Sequence, residues 1–231
     1  MKAAVIVADP CWRYQNFTDA VHGAAASHYD TMTYAELAAL PVASFAADDC
    51  VLACWGTWPK LDEGVDLIRA WGFEFVTGFP WVKVTPSSRE IYTGIGFWKQ
   101  SCSEVVLIAR RGEPKRIVGA REPGLGLLVG EPRIFYAPRS EHSTKPEEVQ
   151  DWLAREFRGP YLELFARRER PGWACWGRET GFVLSASGVE RAAKPIESLP
   201  LFDRVESVKA GTLEGLEKAV KALEAKQEAT K

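Results

Sequence analysis

The sequence lacks both a long hydrophobic run and closely paired cysteines. No stretch approaches the roughly 18 apolar residues that a membrane-spanning helix needs. The five cysteines are odd in number and none belongs to a C-x-x-C pair. This argues against a disulfide framework and against a zinc site. We expect no membrane partner and no metal, with Cys50, Cys54 and Cys102 buried as small hydrophobic residues.

The N-terminus has no room for the charged and apolar regions of a signal peptide, because an apolar run follows Lys2 directly. We therefore expect a cytoplasmic protein. Its 231 residues suffice for one large domain, or for one domain with an appendage. The hydrophobic share of 46% and the charged share of 26% are those of an ordinary globular protein with a real core.

A dinucleotide-binding fingerprint is also missing. Glycines are frequent between Arg116 and Gly130, but no buried strand leads into this stretch and no helix follows it at once. We expect a flexible loop or a hairpin here.

What the sequence does contain is an apolar, β-branched run that stops abruptly at Asp9, Pro10, Cys11 and Trp12. In open α/β sheets, ligands bind where the strands end. An ionised aspartate only accepts hydrogen bonds, proline stiffens the turn, and tryptophan offers a flat face for stacking. The pattern is suited to holding a planar base by its amine. The alternative is an ordinary turn followed by a core tryptophan.

Strand-like and helix-like segments alternate along the chain. This rhythm predicts an α/β fold with a mostly parallel, twisted sheet and helices on both of its faces. The residues Thr33 and Glu36 have the spacing of a capping box. The predicted strands are Val5–Ala8, Cys50–Trp55, Phe73–Val84, Glu104–Ala109, Ile134–Ala137 and Tyr161–Ala166, and the predicted helices begin near Thr33, Leu61 and Lys145.

Positive charge is concentrated in the middle of the chain. Residues 83–145 contain 11 Lys and Arg against 6 Glu, a net +5, whereas the rest of the chain carries −7. Within this segment, Arg89, Trp98 and Lys99 alternate basic and aromatic character in one polar loop. Phosphates attract charge and splayed bases attract stacking partners. The pattern indicates a nucleic-acid surface; the alternatives are a solvated face and a surface hairpin with a partly buried tryptophan.

The strand Tyr161–Ala166, which we predict to be the last of the sheet, brings acidic and basic residues to the same edge as Asp9. An acid at the end of a parallel strand can bind ribose hydroxyls, and a lysine at a helix start can pair with a ligand carboxylate. Structural ion pairs are the alternative. The residues concerned are Glu163, Arg167, Arg168, Glu169 and Lys145.

The composition changes near residue 182, which divides the chain into a domain, 1–182, and a linker with a charged C-terminal helix, 183–231. Apolar residues recur at helical spacing at Leu213, Leu216, Val220 and Leu223. Two heptads are too few for a stable coiled coil alone. This helix is expected either to pack on the domain or to mediate a homodimer or a partner contact.

Taken in order, the motifs resemble those of the DPPW (MT-A) family of adenine-N6 methyltransferases, from about Val5 to Glu179. The family includes the catalytic subunit of the mRNA adenosine methyltransferase and bacterial and phage DNA-adenine relatives. The resemblance rests on ADPCWRY at 8–14, HYDTM at 28–32, WGF at 71–73, WVK at 81–83, GIGFW at 94–98, APR at 137–139, KPEE at 145–148, ELFAR at 163–167 and PGW at 171–173.

The resemblance implies a Rossmann-like domain that uses S-adenosylmethionine, with the motifs in permuted order. It implies that Asp9, Pro10, Cys11 and Trp12 form the catalytic motif, with Asp9 also close to the cofactor. Substrate-side residues would be Tyr14, Tyr29, Lys83, Arg89, Trp98 and Lys99, and cofactor-side residues would be Lys145, Glu163, Phe165, Arg167, Glu169, Arg178 and Glu179.

Two positions depart from the family pattern. Cys11 replaces the second proline of the motif, and Arg178 stands where an amide is expected. We expect transfer of a methyl group to the N6 amine of adenine, in DNA slightly ahead of RNA. The alternative is a weak or inactive nucleic-acid-binding subunit of a larger complex, although such subunits usually lose the acid that Asp9 retains.

Overall fold

A computed structural model describes residues 2–13, 31–94, 96, 98–117, 134–139, 144–177, 180, 182–185 and 188–191. Within these ranges the chain forms four α-helices, one 3₁₀ helix and nine strands. The strands are β1 Ala3–Ala8, β2 Ala46–Gly56, β3 Glu74–Val84, β4 Ser103–Arg111, β5 Phe135–Pro138, β6 Tyr161–Leu164, β7 Trp173–Trp176, β8 Phe182–Ser185 and β9 Gly188–Arg191. The α-helices are α1 Tyr34–Ala38, α2 Val42–Phe45, α3 Leu61–Ala70 and α4 Glu148–Glu156, and the 3₁₀ helix is Trp58–Lys60.

Seven strands form one sheet in the order β5-β3-β4-β2-β1-β6-β7. Neighbouring strands pair in parallel except at β4, which is antiparallel to both β2 and β3. The predicted α/β fold with a mostly parallel sheet is therefore confirmed. The single reversal follows from connectivity, because β3 and β4 are joined without a crossover helix.

Residues of β1 alternate between two cores, one on each face of the sheet. Ile6 and Ala8 belong to the cluster that contains residues of α1 and α3. Val5 and Val7 belong to the other cluster, with Val149 of α4. A central strand that buries both faces reads as a continuous apolar run, which is why its sequence is uniformly hydrophobic. Helices thus cover both faces, as predicted.

A capping box fixes the start of helix α1. The side chain of Thr33 accepts a hydrogen bond from the backbone N–H of Glu36, and the Glu36 carboxylate accepts one from the N–H of Thr33. This is the predicted capping box, and it satisfies two backbone donors that a helix start leaves unpaired. In the part of the chain that is described, no helix is both long and apolar enough to span a membrane.

Two expectations are wrong. The strand that contains Tyr161 is not the last of the sheet, because β7 pairs with β6 in parallel at the edge. The four residues of β7 are two small side chains flanked by Trp173 and Trp176, a pattern too short to distinguish from a loop in the sequence. Cys102 is only partly buried, since it precedes β4, whereas Cys50 and Cys54 are buried inside β2.

The antiparallel hairpin of β8 and β9 lies at the start of the segment that we read as a linker. The rest of this segment after residue 191, including the predicted charged C-terminal helix, lies outside the described residues. The division at residue 182 therefore stays a prediction.

Candidate active site

Asp9 follows β1 at the point where the sheet changes its order of connection. The chain leaves β1 for β2 on one side, whereas β6 lies on the other, and all three strands run in parallel. The crevice outside the carboxyl ends of strands at such a switch point is the usual ligand site of open α/β sheets. The side chain of Asp9 is about one quarter exposed there.

The backbone after Asp9 is held on both sides. The N–H of Asp9 donates to the carbonyl of Leu164 in β6, and the N–H of Trp12 donates to the carbonyl of Pro10. Met32 donates to the carbonyl of Cys11 at 2.7 Å. Hydrogen bonds therefore fix the turn Asp9–Trp12 to β6 on one side and to the segment before α1 on the other. A proline at position 11 would also provide this carbonyl, so Cys11 is compatible with the turn.

Four charged side chains of alternating sign meet at this edge. Nζ of Lys145 lies 3.0 Å from Oδ1 of Asp9 and 3.3 Å from Oε2 of Glu104. Oε1 of Glu104 accepts a hydrogen bond from Nζ of Lys83 at 2.6 Å. The antiparallel course of β4 makes this possible, because it brings the first residues of β4 to the edge where β1 and β3 end.

Burial and charge act in opposite directions on the two acids. Desolvation raises the pKa of Asp9 above its ordinary value of 3.8, although Lys145 partly counteracts it. Desolvation would also raise the pKa of Glu104, but Lys145 and Lys83 outweigh it, so this pKa lies below 4.5. Glu104 is thus an ionised partner of two lysines, while Asp9 is an acid poised closer to neutral pH.

Glu163 of β6 belongs to the same neighbourhood. Burial raises its pKa, a hydrogen bond with Gln150 of α4 opposes this, and the charge of Asp9 raises the pKa further. Gln150 is a buried polar residue whose Oε1 has no hydrogen-bond partner among the described residues. Arg167 is also close enough to lower the pKa of Asp9. Glu163 and Arg167 therefore lie close enough to Asp9 for their charges to interact with it.

Phe165 and Trp12 pack in the hydrophobic core rather than in the cluster of charged side chains. Phe165 has a left-handed backbone, φ 62°, and packs against the core cluster of α1 and α3, whereas Glu163 faces α4. Trp12 is 4% exposed and belongs to that same cluster, and its indole N–H has no hydrogen-bond partner in the described part of the chain. The alternative of a core tryptophan therefore fits Trp12 better than an open stacking face.

A cavity of about 700 Å³ opens beside Lys145 at the N-terminal end of α4. Arg168, which lies in its wall, pairs with Glu147 at 2.5 Å, and Arg170 pairs with Glu147 and Asp151. These ion pairs join the segment after β6 to the start of α4. They form one side of a cavity that Lys145 also lines, and such a cation is suited to a ligand that carries a carboxylate.

The predicted substrate loop, the substrate hairpin, consists of two successive turns. The bridge Val84–Ile91 closes the turn that contains Arg89, and the bridge Gly94–Ser101 closes the turn that contains Trp98 and Lys99. Trp98 is fully exposed, so the alternative of a partly buried tryptophan is wrong. Arg89 and Lys99 are exposed too. Lys83, in contrast, points to Glu104, so a phosphate would have to compete with a carboxylate for it.

Several predicted residues have no described contacts with the site. Glu169 is exposed. Tyr14, Tyr29, Arg178 and Glu179 lie outside the described residues, and so does most of the glycine-rich stretch after Ile117.

Sequence reasoning missed Glu104, because it read this residue only as the start of a buried strand. An acid beside a continuous apolar run was the available signal. It did not identify Lys83 and Lys145 as the partners, because they lie 21 and 41 positions away in the sequence.

Comparison with known proteins gives a consistent result. The MT-A70 family model matches residues 3–179. The type II methyltransferase M.MunI of a Mycoplasma species is 32% identical over 196 residues, which cover 77% of this chain and 78% of the relative. Human METTL4, an N(6)-adenine-specific methyltransferase, is 28% identical over 76% of this chain. The catalytic subunit METTL3 of human N(6)-adenosine-methyltransferase is 30% identical over 77% of it. The match spans only 37% and 28% of these two human proteins.

Proposed function

This chain belongs to the MT-A70 family, and on that premise we propose that it transfers a methyl group from S-adenosylmethionine to the N6 amine of adenine in nucleic acid. The observation that carries the proposal is Asp9 at the end of β1, with Lys145 at 3.0 Å. A partly buried carboxylate that is kept next to a cation is a fixed acceptor, and it needs no reorganisation when the amine arrives.

The exocyclic amine of adenine is a poor nucleophile, because its lone pair is delocalised into the ring. Oδ1 of Asp9 faces Lys145, and we assign Oδ2 to accept a hydrogen bond from the amine. The carbonyl of Pro10, which already accepts the N–H of Trp12, has a second lone pair for the other amine hydrogen. Two such acceptors favour a pyramidal nitrogen, on which the lone pair is available. The raised pKa of Asp9 also makes it a better acceptor for the proton that the amine gives up.

The residues beside Asp9 fit S-adenosylmethionine. When bound, this cofactor supplies an electrophilic methyl group on a sulfonium. Lys145 provides a cation for its carboxylate, and the Glu163 carboxylate provides acceptors for its ribose hydroxyls, next to the unpaired amide oxygen of Gln150 and the cavity at α4. Lys145 would then contact both the carboxylate of the cofactor and Asp9, so that the cofactor and the target amine would lie side by side.

The substrate side is proposed to be the hairpin with Arg89, Trp98 and Lys99. An adenine within a duplex has to be flipped out before its amine can reach Asp9. A charged and aromatic surface beside the site favours binding of the strand that carries the flipped adenine, because it offers contacts both to phosphates and to bases.

DNA is proposed ahead of RNA. The support is the match over 78% of M.MunI, a type II methyltransferase, against 28% of METTL3. The relatives also include a fungal protein named as an N6-methyladenosine RNA methyltransferase, so RNA is kept as the second substrate. A catalytically inactive binding subunit is disfavoured by the retained Asp9.

Three further proposals follow from the sequence alone. The protein is cytoplasmic; residues 1–182 are the catalytic domain; and the charged helix within 183–231 mediates a homodimer or contact with a partner protein.

The experiment is transfer of a tritiated methyl group to DNA and RNA oligonucleotide pools, followed by mass spectrometry of the nucleosides. We expect N6-methyladenine, with more label in DNA. Calorimetric titration with S-adenosylmethionine is the companion measurement. Binding without transfer to either pool would favour the inactive subunit, whereas absence of binding would refute the proposal.

A further inference from the structure

Trp58 is an exposed aromatic residue at the same edge of the sheet as Asp9. It follows β2, the neighbour of β1, and begins the 3₁₀ helix Trp58–Lys60. Six of the nine tryptophans are buried and Trp152 packs on the α4 core, whereas Trp58 is 47% exposed and Trp98 is fully exposed. Single exposed apolar residues are common on protein surfaces. Trp58 differs from such residues in its position beside the site and in its fixed orientation.

The ring is held in one orientation. Its indole N–H donates to Oγ of Ser103 at 2.9 Å. Its backbone lies in a short helical turn, where the N–H of Lys60 donates to the carbonyl of Thr57 and Pro59 restricts φ. An aromatic side chain held at its polar edge loses little conformational entropy when a flat ligand stacks on its face.

Ser103 connects this tryptophan to the proposed substrate hairpin. It is the first residue of β4 and lies two positions after Ser101, which ends the turn that carries Trp98 and Lys99. It also precedes Glu104, the partner of Lys145. The two residues Ser103 and Glu104 follow the substrate hairpin in the chain. Ser103 contacts Trp58 and Glu104 contacts Lys145, so the exposed ring of Trp58 lies beside the site.

We propose that Trp58 is a stacking platform for a nucleobase next to the target adenine. This rests on the proposed function and deepens it by assigning a base contact to β2. Stacking on an aromatic side chain tolerates any base, because every base has a π-face. The contact therefore supports binding of the strand that carries the target adenine without discriminating between base sequences.

The test compares wild type with Trp58→Ala, Trp58→Phe and Ser103→Ala. Affinity is measured by fluorescence anisotropy with labelled adenine-only oligonucleotides, one of DNA and one of RNA. We expect Trp58→Ala to weaken binding by about 10-fold or more, Trp58→Phe to stay within about threefold and Ser103→Ala to fall between them. The slope of affinity against log salt should not change, because no phosphate contact is lost. In turnover, KM for nucleic acid should rise while kcat stays unchanged.

A second measurement does not depend on the folding of a variant. An oligonucleotide containing 5-iodouracil is photo-crosslinked to wild type, and the modified peptides are mapped. A crosslink at Trp58 supports the platform, and crosslinks confined to other peptides overturn it. Equal binding by wild type and Trp58→Ala also overturns it, without touching the proposed function. If wild type binds neither oligonucleotide, the proposed function itself fails.

Discussion

Nζ of Lys145 lies 3.0 Å from Oδ1 of Asp9, although the two residues are separated by 136 positions in the sequence. The same ammonium is 3.3 Å from Oε2 of Glu104. A single lysine therefore joins the proposed catalytic acid to a second, buried acid.

Asp9→Ala should reduce methyl transfer by roughly 100- to 1000-fold, because one preorganised electrostatic contact to the amine is lost. Affinity for the cofactor should change little, since Lys145 keeps Glu104 as its partner. Initial rates and calorimetric titration check the two statements. Asp66→Ala, which removes an exposed acid of α3, is the control and should leave both unchanged. An Asp9 variant within threefold of wild type would refute the assignment.

The rate of transfer should fall on the acidic side at a pH above the ordinary pKa of an aspartate. Burial raises the pKa of Asp9, and the ionised form is the stronger hydrogen-bond acceptor and the only form that can take up the proton of the amine. Lys145 lowers this pKa, so Lys145→Met should move the acidic limb of kcat to higher pH. The pH profile of kcat at saturating cofactor checks this. Lys83→Met should leave the limb in place, because Lys83 is not among the groups that shift Asp9; an equal displacement in both variants would contradict the assignment.

Glu104→Gln should reduce the free energy of unfolding by roughly 3–5 kcal/mol, because it leaves two partly buried lysines without their shared carboxylate. Adding Lys83→Met should recover part of the loss, since the pair between Lys145 and Asp9 then remains. Urea unfolding measures both. Glu63→Gln removes a more exposed ion pair and should cost less than about 1 kcal/mol.

The ion pairs of Glu104 with Lys83 and Lys145 also make the free energy of unfolding depend on pH. The pKa of Glu104 is lower in the folded protein than in the unfolded chain, so its contribution is present above pH 4.5 and is lost as the pH falls through the folded value. The acid-induced loss of stability should be smaller in Glu104→Gln than in wild type. Equal losses in the two proteins would mean that Glu104 is not the group responsible.

Reversing Arg89 and Lys99 together to Glu should weaken nucleic-acid binding for all sequences and flatten its dependence on salt. Both side chains are exposed, so the fold should be retained. The matched control is the pair Arg69→Glu and Lys115→Glu, which changes the net charge equally near the opposite edge of the sheet. If the control weakens binding as much as the test pair, the hairpin is only a solvated face.

Trp98→Ala should lower affinity for single strands by roughly 1–3 kcal/mol through lost stacking. Because Trp98 is fully exposed, the thermal midpoint should stay within the small range of surface substitutions. Anisotropy titration and a melting curve check the two effects. A large fall in melting temperature would place the ring in a folding contact, and the stacking role would then fail.

The sequence by itself determined the class of fold and the position of Asp9. Val5–Val7 and Cys50–Trp55 are uniformly apolar because central strands bury both faces, and a run of that kind is legible without neighbours. The motif after β1 marked the edge at which a ligand binds, and the ordered set of motifs indicated the family. Local capping chemistry likewise predicted the helix after Thr33 from two residues that lie three positions apart.

Only the tertiary structure decided which charges meet. Asp9, Lys83, Glu104 and Lys145 come from four separate segments, and their contact depends on the register of β3 and β4 and on the approach of the segment before α4. It also turned Phe165 toward the α1 and α3 core, and it left Trp58 exposed beside the site. Short-range patterns report which face a residue prefers. Pairing between distant side chains depends on packing of the whole sheet, which those patterns do not contain.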